Sequence, residues 1–171
     1  MSLKIVMWPN NILRQESKEV RVEDIGLFST FVDDMIQTMY EEKGVGLSAI
    51  QVGNNIRVFV VDVGLGPEVY FNPVIENAHG DERMMDEGCL SVPGVFEKVM
   101  RFTKVDGYAY DRTGNKFTFA EMPGTETQKE YRAHVIQHES EHLDGKIFLD
   151  HVSQGRREAA RQAMKKLNKG K

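Results

Sequence analysis

The sequence predicts an α+β fold: mainly antiparallel β-sheets packed around one central helix, with an amphipathic helix near the N-terminus and a basic helix at the C-terminus. Three observations predict it. β-branched and alternating segments dominate the middle of the chain. Helical periodicity is confined to an early stretch and the last third. Within that last third, two histidines sit four residues apart on a segment bounded by helix start and stop signals.

The elements follow in order. In residues 25–43, Ile25, Phe28, Val32, Met35, Ile36 and Met39 recur at helical spacing and form an apolar stripe, so these methionines and aromatics belong to a core. Gly44-Val45-Gly46 then breaks the helix. Residues 56–63 are β-branched and read as a buried strand, and residues 69–75 as another. Residues 98–110 alternate through Val99, Arg101, Thr103 and Val105, the pattern of a long strand. Asp111-Arg112-Thr113-Gly114-Asn115 is a turn leading into a strand over 116–120. A helix over 126–143 ends at Asp144-Gly145. Ser153 can cap a final helix reaching about residue 167.

At 171 residues the chain is large enough for one domain with a real core, and its 40% apolar and 28% charged residues fit a globular protein. No apolar run approaches the ~18 residues of a membrane span, and the N-terminal run is too short for a signal peptide. The single cysteine excludes an internal disulfide, which points to a reducing, cytoplasmic compartment. The net charge of −4 is unevenly spread. Residues 154–171 carry +6 and residues 1–153 carry −10, so the chain divides into a body at 1–153 and a basic helical tail at 154–171. Such a tail either meets a polyanion such as RNA or is a solvated helix face.

The chemistry lies in Gln137-His138-Glu139-Ser140-Glu141-His142. On a helix, His138 and His142 share one face and can reach one metal ion, with Glu139 beside them as a proton acceptor for activated water. HExxH proteins differ in their third ligand. A metzincin-like frame would need histidine at Phe148, and His151 comes three residues late. A thermolysin-like site would need a later glutamate, where only Glu158 in the basic tail is available. Neither protease pattern fits, which leaves an upstream ligand. The sole cysteine, Cys89, lies in Glu87-Gly88-Cys89-Leu90-Ser91.

Three separated blocks, residues 44–51 (Gly-Val-Gly-Leu-Ser-Ala-Ile-Gln), 87–91 and 137–145, resemble in order and spacing the three signature motifs of the peptide deformylase family. The likeness covers about residues 4–153 and makes that span the catalytic domain. It implies that Cys89, His138 and His142 bind one divalent metal, ferrous iron in the native state with zinc or nickel able to substitute. The substrate implied is the N-formyl group on the initiator methionine of a nascent chain, released as formate. Glu139 is then the general acid/base, and the Gln51 side chain and the Leu90 backbone N–H stabilise the oxyanion. Gly44, Val45, Gly46 and Gly88 would border the bound peptide, and Val45 and Met85 its methionine pocket. Arg101 would pair with Glu87 or Glu141 behind the metal, orienting ligands or simply bracing the fold.

The chain departs from the family pattern in four places. Ser48 replaces the usual alanine and could set a hydroxyl near Gln51; Ile50 replaces proline; Glu141 replaces aspartate. His134, one turn before His138, would close the water position if it were a fourth ligand, and is expected instead at the pocket rim or beside Tyr131. The expected protein is a monomer that meets the ribosome through its basic C-terminal helix and has no membrane partner. The competing readings are a catalytically silent metal-binding or ribosome-associated relative and an HExxH metalloprotease.

Overall fold

A computed structural model describes residues 1–169; Lys171, one of the basic residues of the tail, lies outside the described residues. A turn of 3-10 helix over Val22–Phe28 runs into helix α1, Ser29–Glu41. The apolar stripe of this segment does face a core: Ile25, Val32, Met35 and Met39 are buried against Leu47, Val58, Val60 and Phe71. The chain then forms one antiparallel sheet in sequence order. Its strands are β1 (Gly46–Ser48), β2 (Val58–Val61), β3 (Glu68–Glu87), β4 (Glu97–Tyr110) and β5 (Lys116–Thr118). Strand β2 is buried at every position, as its unbroken apolar run requires.

Strand β3 is far longer than the apolar run at 69–75. Its second half is polar and exposed, and it stays paired to β4 through three register shifts until Glu87 faces Glu97. These irregularities let one strand serve two ends of the molecule. Its start lies in the core beside β2, and its last residue reaches the Glu87–Ser91 segment.

Helix α2, Glu126–Leu143, opens on a capping box. Thr125 Oγ1 accepts from the Gln128 N–H, and Gln128 Oε1 accepts from the Thr125 N–H at 3.0 Å. Eleven of its 18 residues are buried, so it has no polar face of the usual kind and runs through the interior against β4, β1 and β2. It ends where Gly145 takes φ +70°. A Cβ there would lie 2.5 Å from the Arg14 carbonyl oxygen, so both the left-handed turn and the close approach demand glycine. Helix α3, Gln154–Lys169, lays Ala160 and Met164 into a third cluster with Trp8, Leu13, Val92 and Phe148. Among the described residues, no helix is long and apolar enough to cross a membrane.

Candidate active site

Helix α2 threads the interior, and two loops close on it from the other side. Gly44 to Gln51 arrives from β1, and Gly88 to Ser91 from the end of β3. Backbone bonds fix both loops to the N-terminal segment: Val6 N–H donates to Gln51 O at 2.7 Å, and Trp8 N–H to Ser91 O at 2.9 Å. The result brings together three side chains that the sequence separates by up to 53 positions. One ligand atom each from Cys89, His138 and His142 lies within 4.8 Å of the others, the one such group of histidine, cysteine and acidic side chains among the described residues.

The geometry of these three donors is compatible with a bound cation. Cys89 Sγ lies 3.3 Å from His142 Nε2. Tetrahedral metal–sulfur and metal–nitrogen bonds of ordinary length put two such donors about 3.5 Å apart. His138 Nδ1 is 2.7 Å from Glu87 Oε2, so its N–H donates there and the Nε2 lone pair is left free for a metal. One thiolate and two imidazoles suit zinc, iron or nickel and disfavour magnesium or calcium. The residues present therefore fit the group. Burial disfavours charge on His138, yet the neighbouring Cys89 and Glu87 override it and hold its proton well above the usual range, whereas burial and then the charge on His138 push His142 well below it. A cation entering the site takes the place of that proton.

Behind the ligands runs a buried charge network. Arg101 donates to Glu87 (Nε–Oε1 2.7 Å) and also to Glu141 (Nη1–Oε1 2.7 Å, Nη2–Oε2 2.9 Å), so it pairs with both acids rather than with one. Burial works against both charges, but the hydrogen bonds from His134, His138 and Arg101 hold the Glu87 carboxyl far below the carboxylate range, and Arg101 is raised in turn by Glu141 and Glu87. His151, too late in sequence for a metal, sits 2.8 Å from Glu141 Oε1.

His134 joins this network instead of the metal centre. Its Nε2 is 3.0 Å from Glu87 Oε1, so Glu87 receives both imidazoles, and the His134 ring also lines the cleft. Glu139 is 3% exposed, with Oε2 held at 2.6 Å by the Ser48 hydroxyl. Burial raises its carboxyl, and the charge on His138 and the Ser48 hydrogen bond oppose the rise. The Ser48 hydroxyl thus goes to Glu139; only its backbone N–H turns to Gln51, donating to Oε1 at 2.8 Å. That bond orients the Gln51 amide so that Nε2 points at Cys89 Sγ and Ser91 Oγ, each at 3.3 Å. The Leu90 N–H makes no hydrogen bond to the described residues and remains available to a ligand.

These groups open onto a cleft of about 460 Å³. Gly44, Val45, Gly46, Gly88, Leu90, Gln51, His134, His138 and Glu139 line it. Met85 does not; it is paired with Val99 in the sheet. The apolar walls include Val45, as expected from sequence, together with Tyr131, Val135 and Phe96. Tyr131 lies three residues before His134, and Val135 three before His138 and four before Glu139, so helical spacing alone marks them. Phe96 is 72% exposed and covers Gly88, a placement that no local sequence signal announces.

The comparisons with known proteins agree with this geometry. The sequence matches the family model described as polypeptide deformylase over residues 2–158. A peptide deformylase of Hahella chejuensis is 39% identical over 170 residues, covering 98% of this chain and 96% of that protein. One from Pseudomonas aeruginosa is 40% identical over 167 residues, covering 96% and 95%. The crystal structure of a Legionella pneumophila peptide deformylase superposes with a TM-score of 0.86 at 36% identity, over 99% of this chain and 96% of that one. The Ehrlichia chaffeensis enzyme, solved in complex with actinonin, also gives 0.86, at 34% identity over 97% and 98%. With matching fold, near-complete coverage and all three motifs gathered at one centre, this chain belongs to the polypeptide deformylase family.

Proposed function

We propose that this chain hydrolyses the N-formyl amide of formyl-methionyl peptides, with Cys89, His138 and His142 as metal ligands and Glu139 as the proton carrier. The observation that carries this reading is the convergence of those three ligands within 4.8 Å, in the cleft that also holds Glu139 and Gln51. A divalent cation held there supplies Lewis acidity, polarising the formyl carbonyl and making water acidic enough to lose a proton near neutral pH. Family membership favours ferrous iron as the native ion; the donor set by itself accepts zinc or nickel as well.

The chain's own residues do the rest. Glu139 takes the proton from the attacking water and returns it to the leaving nitrogen, a role suited to a carboxyl that burial raises above its ordinary value. The Gln51 Nε2–H and the Leu90 N–H, which has no partner among the described residues, are the donors for the oxyanion that develops on the formyl oxygen. Backbone at Gly44, Val45, Gly46 and Gly88 borders the extended peptide, and Tyr131, His134 and Val135 wall the space for its methionine side chain. Actinonin, bound by the Ehrlichia relative, is expected to occupy the same cleft.

The deciding experiment measures formate release from formyl-Met-Ala-Ser by anaerobically purified, iron-loaded protein beside Glu139→Ala. Release by the parent and silence from the variant support the assignment; equal release by both overturns it. Metal content of the same preparation identifies the ion.

The reading extends to a monomer acting in a bacterial-type cytoplasm, with the basic face of α3 touching ribosomal RNA. Lys165 and Lys166 are exposed there, while Ala160 and Met164 anchor the helix in the core. Truncation would therefore expose core, and charge reversal is the cleaner test. Salt-sensitive co-sedimentation with ribosomes should weaken in Lys165→Glu/Lys166→Glu; unchanged co-sedimentation refutes the contact.

A further inference from the structure

We propose that Ser48 is a positioning residue for Glu139: its buried hydroxyl holds one carboxylate oxygen so that the other is presented for proton transfer. The inference rests on the role proposed above for Glu139 and concerns how this particular chain executes it.

Ser48 is fully buried at the end of β1. Its Oγ lies 2.6 Å from Glu139 Oε2, across 91 residues of sequence. That length is typical of a hydroxyl donating to a charged carboxylate, the strong class of neutral-to-ion hydrogen bond. The donor is itself held in place, because the Ser48 N–H is bonded to Gln51 Oε1 at 2.8 Å. On the opposite side of the carboxylate, Gly46 leaves room for Oε1, where a Cβ would come within 2.5 Å. Among the described residues nothing donates to Oε1. One oxygen is therefore fixed, and the other is free beside the cleft that Gly46 and Glu139 line.

Ser48 has one proton and two acceptors within reach, Oε2 at 2.6 Å and the Glu139 backbone oxygen at 3.1 Å. An alanine in this position would leave buried Oε2 without a donor. The proton balance is simple. One proton passes from water to Glu139 and from Glu139 to the leaving nitrogen, and Ser48 keeps its own.

The test uses Ser48→Ala with the shape-matched pair Ser48→Thr and Ser48→Val in the full-length, metal-loaded protein. The expected result for Ser48→Ala is a kcat about tenfold below the parent, the scale of a modest misplacement of a reacting group. Its KM and metal content should not change. Ser48→Thr should exceed Ser48→Val in kcat by a similar factor, because the two differ in the hydroxyl and hardly in volume. A kcat for Ser48→Ala equal to the parent, a defect confined to KM, or equal kcat for the Thr and Val variants overturns the proposal. Should the Thr and Val proteins fail to fold, Ser48→Ala decides alone. An inactive parent, or an active Glu139→Ala, counts against the function itself and is read separately.

Discussion

Replacing Glu87 by glutamine is the substitution whose consequences the structure defines most fully. The Glu87 carboxylate meets four donors: Arg101 Nε at 2.7 Å, Arg101 Nη2 at 3.2 Å, His138 Nδ1 at 2.7 Å and His134 Nε2 at 3.0 Å. Glutamine offers one acceptor oxygen and turns an NH2 toward the rest, so two of these donors face another donor in a site 3% exposed. Arg101 keeps Glu141 but loses its second anion. Breaking a buried pair in this way costs about 3–5 kcal/mol. For a chain of this size each kcal/mol moves Tm by about 2–4 °C, so Tm should fall by about 6–20 °C. His138 also loses the partner that fixes its tautomer, which lowers metal affinity by about 10- to 100-fold. Thermal unfolding of the metal-free proteins reads the first effect, and competition with a chelator for zinc reads the second. A Tm within about 3 °C of the parent, together with zinc affinity within about threefold, would refute the claim that Glu87 joins the charge network to the metal centre.

Other outcomes follow from single contacts. Gly46→Ala would place a Cβ 2.5 Å from Glu139 Oε1 and 2.9 Å from Val135 Cγ1. Formate release should drop by about 100-fold while the metal stays bound, and unimpaired turnover would disprove the close approach. Removing the metal with a chelator should lower Tm, since a ligand of the native state at a hundredfold excess over Kd contributes about 2.7 kcal/mol; zinc should restore it in the parent and not in His138→Ala. For Asp150, burial would raise the carboxyl, but the Arg14 ion pair and the Ile147 N–H hold it below its usual value. A depressed folded value stabilises above the unfolded reference of about 3.9, and the contribution is lost as pH falls through the folded value. Asp150→Asn should therefore lower Tm at neutral pH and narrow its deficit below about pH 4; a deficit independent of pH would contradict this.

Much of the fold is legible because local pattern and tertiary role coincide. The stripe from Ile25 to Met39 and the run of β2 are buried in the structure as their spacing predicts. Strand β4 spans Glu97–Tyr110, against a predicted 98–110. The second half of β3 is not legible. Residues such as His79, Asp81, Glu82 and Arg83 show no apolar alternation, and the strand persists there because β4 supplies hydrogen-bond partners, a non-local cause. The same holds for β1, whose three residues become a strand only by pairing with β2.

The site divides along the same line. His138, Glu139 and His142 stand on one helix, so their spacing states their chemistry. Cys89, Gln51 and Leu90 became legible through motif likeness, since no local rule carries a ligand across 49 residues from Cys89 to His138. Partners were harder to foresee than members. The sequence assigns Arg101 one acid, and it serves two; His134 lines the cleft and also binds Glu87; the Ser48 hydroxyl, expected near Gln51, binds Glu139. In each case the side chain follows the stronger electrostatic demand. A buried carboxylate costs more to leave unpaired than a neutral amide, so Arg101, His134 and His138 gather on Glu87 and the Ser48 hydroxyl turns to Glu139. Buried acids near a sequence motif are thus the places to look for partners that the motif does not name.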